Sequence, residues 1–485
     1  MQQLTPLDTM FLMNESPRSS QFVTDILIFE ADGPGLSLSE LRRLLSERLH
    51  LLPPLRRRLV EVPFGLDEPF WVEDPDFDLD KHLHEHRLPS PGDDTQLAEL
   101  TAFIAAVPLN RSRPLWELHL VHGLHEGRTA LIKKFHHVAL DGASSREVTT
   151  ILLDSTPEPR QVPPPLEPWI PDRLPCASEL MLHGFAGMVE RPMRMFEAQR
   201  RLATHLNVHH PLAGNPPRTP FNVRVSGERS VAFEDVPLSR IRAVKSAFGV
   251  TVNDVIVSMC ATVLRGWLIE RNALPTRPLV VCIPISVRTE AERGSFGNRV
   301  SILIATLPTQ VSDPVQRLKA IHESVVLAKN HHDFVGANVL GDMGQVVMPA
   351  MQARLSRLTT AMAWPTLDQP LHWNIAISSL PGPDRPLYLS GHRLRTHYPV
   401  GMLMDNQALM IAAASYLDKI SFGLVADPHV VPDLWEMAAG LPASLDELVN
   451  SSPVASPLIV PEGDADHSTQ RKARHRRLSP DRSSV

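Results

Sequence analysis

Cysteine is scarce in this chain: three residues in 485, Cys176, Cys260 and Cys282, at no spacing that would seat a metal. That count excludes a disulfide-built secreted domain and suits a reducing compartment. Cys260 and Cys282 sit among apolar residues and read as buried thiols. Aromatic residues make up only 5% of the chain, and no basic stripe or recognised motif marks a nucleic-acid binder. Long apolar runs are missing too. The best candidates, near Leu279–Val287 and Leu409–Ser415, fall well short of the ~18 residues of a membrane span and read as buried strands. At the N-terminus no basic segment precedes an apolar run, so no signal peptide is expected.

Proline, by contrast, is abundant. The 45 prolines run at roughly twice the usual share of about 5%. Eight of them fall between Pro157 and Pro175, a density that no helix or central strand survives, so this stretch reads as a crossover. The net charge of −6 is uneven: residues 468–485 carry six Lys/Arg against Asp481. A basic, Pro- and Ser-rich segment of that kind reads as a disordered tail. The organisation expected is an N-terminal half over 1–155, a Pro-rich linker and helix over 156–218, a C-terminal half over 219–450, and a tail over 451–485.

Periodicity predicts the elements. Phe22–Phe29 reads as a buried strand. Ser37-Leu38-Ser39-Glu40 is a capping box before a helical stripe of Leu41, Leu44, Leu45 and Leu49. Trp116–Val121 and Thr129–Phe135 bracket a Gly-containing turn and read as paired strands. A helix follows from Gly142 to about Leu153, and another over Ala177–Leu206. In the second half, strands are expected at Val231–Val236, Leu279–Ser286, Val300–Leu307, Trp373–Ser379 and Ser421–Val425. Helices are expected at Leu238–Phe248, with Gly249 closing it, after Thr251, over Pro314–Lys329 and near Asp433–Val449. The fold class is mixed α/β, with strands in both halves.

The stretch with chemical content is His136-His137-Val138-Ala139-Leu140-Asp141-Gly142. It places a pair of imidazoles where a strand ends, at the lip of a sheet. Neutral imidazole accepts and returns a proton near neutral pH, which is what a general base must do. A metal site built on His137 and Asp141 would need a helix and a third ligand, so none is expected. There is no Gly-x-Ser-x-Gly nucleophile elbow.

Other segments agree with one family. Leu4-Thr5-Pro6-Leu7-Asp8, Pro54-Leu55-Arg56-Arg57-Arg58-Leu59, Pro69-Phe70-Trp71-Val72, Arg113-Pro114-Leu115-Trp116-Glu117, Asn253-Asp254-Val255, Phe296-Gly297-Asn298, Pro381-Gly382-Pro383 and Ser415-Tyr416 occur in order around the His-His-Asp-Gly motif. On these, the chain resembles the bacterial wax ester synthase/diacylglycerol acyltransferases from about Leu4 to Leu448. Ser379, where the family usually has Asn, and Asp418, where it tends to have Gly, depart from the pattern. The resemblance implies two chloramphenicol-acetyltransferase-like halves around a central tunnel. It implies an acyl-CoA-dependent O-acyltransferase that makes triacylglycerol from diacylglycerol, with wax esters from fatty alcohols second. Acyl-CoA is then a co-substrate and no cofactor is needed. The alternatives are an acyltransferase of the same fold with a carrier-bound donor or another acceptor, and a non-catalytic lipid-binding relative.

On that resemblance, His137 is the base and His136 sets the loop and tautomer. Asp141 pairs with an arginine, for which Arg288 is the candidate, and Gly142 allows a tight turn. Asn298 reads as a turn asparagine before a strand, with oxyanion donor as the alternative; Asn253 caps a helix or lines the site; and Trp116 belongs to the core and tunnel wall. Apolar substrates imply work at a membrane or lipid-inclusion surface by a cytoplasmic, peripheral protein without a span.

Overall fold

Two six-stranded sheets carry the fold. The computed structural model describes residues 1–31, 35–166, 169–206, 216–289, 294, 296–335 and 373–452; the basic tail beyond Ser452 lies outside them. In the first sheet the strands run, in spatial order, Tyr388–Leu389, His392–Val400, Phe22–Phe29, Thr129–His136, Trp116–His122 and Leu83–Arg87. Only the last pair is parallel. In the second sheet the order is Val300–Leu307, Leu279–Ser286, Ile375–Leu380, Leu409–Tyr416, Lys419–Ala426 and Ser230–Pro237. Ile375–Leu380 runs parallel to both neighbours, and the other pairs are antiparallel. A small sheet of Gln2–Gln3, Phe70–Glu73 and Arg57–Val60 stands beside them.

The expected boundary at residue 219 divides the chain but not the sheets. The strand His392–Val400 comes from the second half and pairs antiparallel with Phe22–Phe29 of the first. One apolar cluster spans the junction, with Ile26, Ile28 and Ile132 from the first half packed with Val231, Phe233, Tyr398 and Val425 from the second. The two halves therefore share buried surface, which ties the walls of anything that lies between them. Between Ser155 and Cys176 no described residue is helical or in a strand, as the proline density requires.

Local chemistry sets the helix boundaries. Ser37 and Glu40 form the reciprocal capping box at the start of Leu38–Arg48. Thr251 and Asp254 do the same for Val252–Glu270. Such a cap contributes about 1 kcal/mol. Gly249 ends Leu238–Phe248 at φ 69°, a left-handed position where glycine carries no Cβ penalty. Among the described residues one helix, Val252–Glu270, is long and apolar enough to cross a membrane, with mean hydropathy 1.4, and 61% of it is buried inside the fold. It packs in the main core of the second half with Leu279, Ile283, Leu441 and Leu445.

Candidate active site

The strand Thr129–His136 pairs with Phe22–Phe29 up to Phe22 opposite His136. There the sheet ends and the chain turns. The His137 N–H donates to the Gln21 carbonyl at 2.8 Å, and the Ala139 N–H to the His136 carbonyl at 2.9 Å. This turn points the two histidines in different directions.

His136 is buried, 1% exposed. Its Nδ1 accepts the Val138 N–H at 3.0 Å, which leaves the proton on Nε2, 3.5 Å from Glu15. Burial pulls the His136 pKa down. Burial pushes Glu15 up, but His136 and Arg111 beside it outweigh that and hold it at about 2. This histidine builds the loop and does not line the cavity described below.

His137 is half-buried and faces a cavity of about 840 Å³ between the two sheets. Its ring stacks on Phe11, with centroids 4.1 Å apart and planes at 22°. Nδ1 is buried without a hydrogen-bond partner. Burial pulls the pKa below the ordinary imidazole value, against the opposing pull of Asp141, so the ring is neutral at neutral pH.

Asp141 caps the helix Gly142–Leu152 through Oδ1, which accepts the Ser144 N–H at 2.8 Å. Its Oδ2 accepts from the Arg288 guanidinium at 2.7 Å and from the Arg299 N–H at 3.0 Å. Arg288 also donates to the Ser144 hydroxyl and to the Gly297 carbonyl. Burial pushes the Asp141 carboxyl up, but Arg288 and these N–H donors hold it below its ordinary range. The bridge joins the His137 loop to the segment that follows the strand Leu279–Ser286. Gly142 is the first residue of the capped helix and needs no left-handed backbone. Its role is space: a Cβ there would meet the Leu380 side chain at 3.3 Å.

Asn298 does not have a free donor for an oxyanion. Its Nδ2 donates to Asp8 at 2.6 Å and to the His137 and Val138 carbonyls at 2.8 and 3.4 Å. Asp8 in turn accepts from Thr5 in the capping box of the helix Pro6–Asn14, and burial raises its pKa. Thus Leu4–Asp8 and Phe296–Asn298, far apart in sequence, both hold the loop that carries His137. Asn253 lies in the first turn of Val252–Glu270 and is not brought to the cavity. The neighbouring Asp254 caps that helix and meets His322 at 2.7 Å. Trp116 is core: 1% exposed, stacked on His82, with its indole N–H on the Leu55 carbonyl.

The cavity walls come largely from the second sheet. Alternate residues face it: Cys282, Pro284 and Ser286; Val300, Ile302 and Ile304; Ala376, Ser378 and Leu380; Met410, Ala412 and Ala414. Small side chains at Ala376, Ala412 and Ala414 leave the room, and the alternation of the strands is the signal that could have found them. At the rim, Pro381-Gly382-Pro383 lies on Ser415, whose hydroxyl accepts the Gly382 N–H at 2.8 Å. A Cβ on Gly382 would fall 1.9 Å from the Ser415 carbonyl, so only glycine fits.

One polar group in the wall escaped sequence reasoning. Asp25 pairs with Lys133 at 2.9 Å and with His397 at 3.1 Å, and accepts the Ser145 hydroxyl at 2.8 Å. Burial pushes Asp25 up, and Lys133 and His397 pull it well below the carboxylate range. Among described residues, no hydrogen bond joins the His137 ring to a serine hydroxyl, and the one cavity-lining thiol, Cys282, is pushed up to about 12 by burial. The arrangement therefore offers a base beside a mostly apolar chamber, with no activated protein nucleophile next to it.

Comparison with known proteins gives the family. The family model for the wax ester synthase/diacylglycerol acyltransferase catalytic domain matches residues 4–256, and that for the WS/DGAT C-terminal domain matches 296–449. A putative diacylglycerol O-acyltransferase of Mycobacterium bovis is 36% identical over 456 residues, covering 92% of this chain and 98% of the relative. Another from Mycobacterium tuberculosis is 31% identical over 468 residues, covering 93% and 91%. The solved wax ester synthase/diacylglycerol acyltransferase of Marinobacter aquaeolei VT8 superposes with a TM-score of 0.68 at 29% identity, over 93% of this chain and 99% of that one. The first condensation domain of the CDA synthetase shares the fold, with a TM-score of 0.57 at 16% identity over 93% and 96%. The chain thus belongs to the wax ester synthase/diacylglycerol acyltransferase family of acyltransferases, related in fold to the condensation domains.

Proposed function

We propose that the protein transfers a long-chain acyl group from acyl-CoA to the hydroxyl of diacylglycerol, with fatty alcohols as second acceptors, and that His137 is the general base. The observation that carries this reading is the neutral His137 ring at the wall of a largely apolar cavity of about 840 Å³. An alcohol is too weak an acid to attack a thioester unaided. In this mechanism the open ring nitrogen of His137, Nε2, accepts the hydroxyl proton as the oxygen bonds to the thioester carbon. The tetrahedral intermediate collapses with cleavage of the C–S bond. The imidazolium returns its proton to the CoA thiolate, so no acyl-enzyme forms. Asp141 does not relay the proton: its charge is matched by Arg288, and it holds the loop. The Asn298 amide and Asp8 hold the same loop from the other side.

The substrates are apolar, so the protein must reach them at an interface. The helix Ala177–Leu206 supports such a contact. Its Leu182, Phe185, Met193 and Phe196 are all exposed and recur on one face at helical spacing. The experiment that tests the proposal is CoA release from oleoyl-CoA in the presence of diolein, hexadecanol or neither, with products identified by mass. Release that depends on diolein and vanishes in His137→Ala supports it. Release equal in the variant, or independent of acceptor, overturns it.

A further inference from the structure

The edge strand Leu83–Arg87 carries two histidines on one face, His84 and His86, and runs parallel to Trp116–His122 with His84 opposite His119. On the face they share, His84, Glu117 and His119 each present one donor atom, all within 4.8 Å of one another. Nε2 of His84 is buried and makes no hydrogen bond, while Nε2 of His119, also buried, has the Glu117 carboxylate beside it. His119 is only 6% exposed. The Glu117 carboxylate stands 3.4 Å from His119 Nε2. Leaving a buried polar nitrogen without a partner costs about 1–3 kcal/mol, so the His84 nitrogen calls for something to satisfy it. None of the three residues lines the cavity, so the acyltransferase reading does not use them.

We propose that His84, Glu117 and His119 form a binding site for a transition-metal dication, zinc first among them, which clamps the edge strand to its neighbour. Two imidazoles and one carboxylate are a recurrent zinc donor set, with water in the fourth position. Second contacts are in place as well. His119 Nδ1 lies 3.0 Å from His86 Nε2, so a proton on Nδ1 can be donated to His86 while Nε2 turns its lone pair to the ion. The donor set decides which cations fit: magnesium and calcium take oxygen ligands, whereas imidazole suits zinc, copper or nickel.

One movement is required. The His84 and His119 rings are stacked, with centroids 4.7 Å apart and planes at 24°, and stacked rings cannot both aim a lone pair at one ion. His84, half-buried on the edge strand, is the more exposed of the two rings and the one that would turn about its Cβ–Cγ bond. The gain is at the sheet margin: among the described residues Leu83–Arg87 has a strand neighbour on one side alone, and an ion held across the pair would fix the edge.

The test uses the untagged full chain, stripped by chelator and dialysed against zinc, with bound metal counted by mass spectrometry and thermal midpoints recorded with and without zinc. The wild type should lose one equivalent of zinc on His84→Gln and on His119→Gln, and keep it on His429→Gln, an exposed histidine elsewhere. His86→Leu should weaken binding by roughly 10–100-fold. Zinc should raise the midpoint of the wild type by a few degrees and leave that of His84→Gln unmoved; magnesium should move neither. His84→Gln should match the wild-type midpoint in chelator, which separates loss of the site from loss of the fold. Equal zinc content in wild type, His84→Gln and His119→Gln overturns the proposal, as does a midpoint indifferent to zinc. Neither readout depends on acyl transfer.

Discussion

Replacing Asp141 by asparagine is the perturbation with the largest reach. The carboxylate is 0% exposed and the Arg288 side chain 7%, so the pair belongs to the buried class, where removing one partner costs about 3–5 kcal/mol. Asparagine keeps one oxygen to cap Ser144 but surrenders the charge opposite Arg288, so about 3 kcal/mol is expected; alanine also loses the cap, about 1 kcal/mol more. A chain of 485 residues unfolding as one unit has an unfolding entropy near ~1 kcal/mol/K. The midpoint should therefore fall by about 3 °C for Asp141→Asn. CoA release should fall with it, because the Arg288 bridge and the Ser144 cap hold the loop after His137. Arg288→Met alone should cost a similar amount. The double variant should lose less than the sum by about 2 kcal/mol, since removing both charges leaves neither unpaired. The pH dependence has a definite sign. The native Asp141 carboxyl lies below its ordinary value of 3.8, so its stabilisation is present above that value and is lost as pH falls through the lower native one. Asp141→Asn should flatten this acid limb. Full activity and an unchanged midpoint in Asp141→Asn, or strictly additive losses in the double variant, would refute the reasoning.

Three further outcomes follow from the same geometry. The His137 pKa lies below the ordinary 6.5, so kcat/KM should fall only below that pH; an apparent value at or above 7 in the free enzyme would contradict a neutral base at the cavity wall. Ala414→Phe fills the cavity wall, and the rate with oleoyl-CoA should fall at least tenfold relative to hexanoyl-CoA, measured as a ratio of kcat/KM values; an unchanged ratio would place the chain elsewhere. Substituting Leu182, Phe185, Met193 and Phe196 by serine removes apolar contacts worth roughly 1 kcal/mol each at partial burial, so partition onto anionic vesicles should weaken by about a thousandfold in a flotation assay; unaltered flotation would exclude this face as the contact.

Much of the scaffold could be read from residues alone, and the reasons are local. Short apolar runs marked Leu279–Ser286 and Val300–Leu307 to the residue, and a left-handed glycine and a capping threonine marked the end of Leu238–Phe248 and the start of Val252–Glu270. Periodicity reveals a face but not a partner. The strand His392–Val400 was not anticipated, and nothing in its pattern says that it joins the sheet of the other half. Asp25 and Lys133 look like exposed charges in a strand, yet they stand in register and neutralise each other in the wall of the cavity. Leu83–Arg87 is too polar to read as a strand, because its histidines are sheltered only by His119 of the neighbouring strand. At the site, the motif exposed the histidines, since their chemistry resides in residue type. The duty of Asn298 could not be read, because it is fixed by Asp8 and the His137 carbonyl, brought together only by the fold. Gly142 was expected to serve a turn and instead makes room for Leu380, a contact from a strand more than two hundred residues on.

Single-turnover CoA release by wild type and His137→Ala, with intact-protein mass recorded at each time point, tests the central claim most directly. The account predicts a loss of about 10²–10⁴-fold in the variant, at an unchanged thermal midpoint, and no acylated protein at any time in the wild type. A variant within tenfold of wild type, or an acyl adduct that forms and decays with turnover, would contradict it.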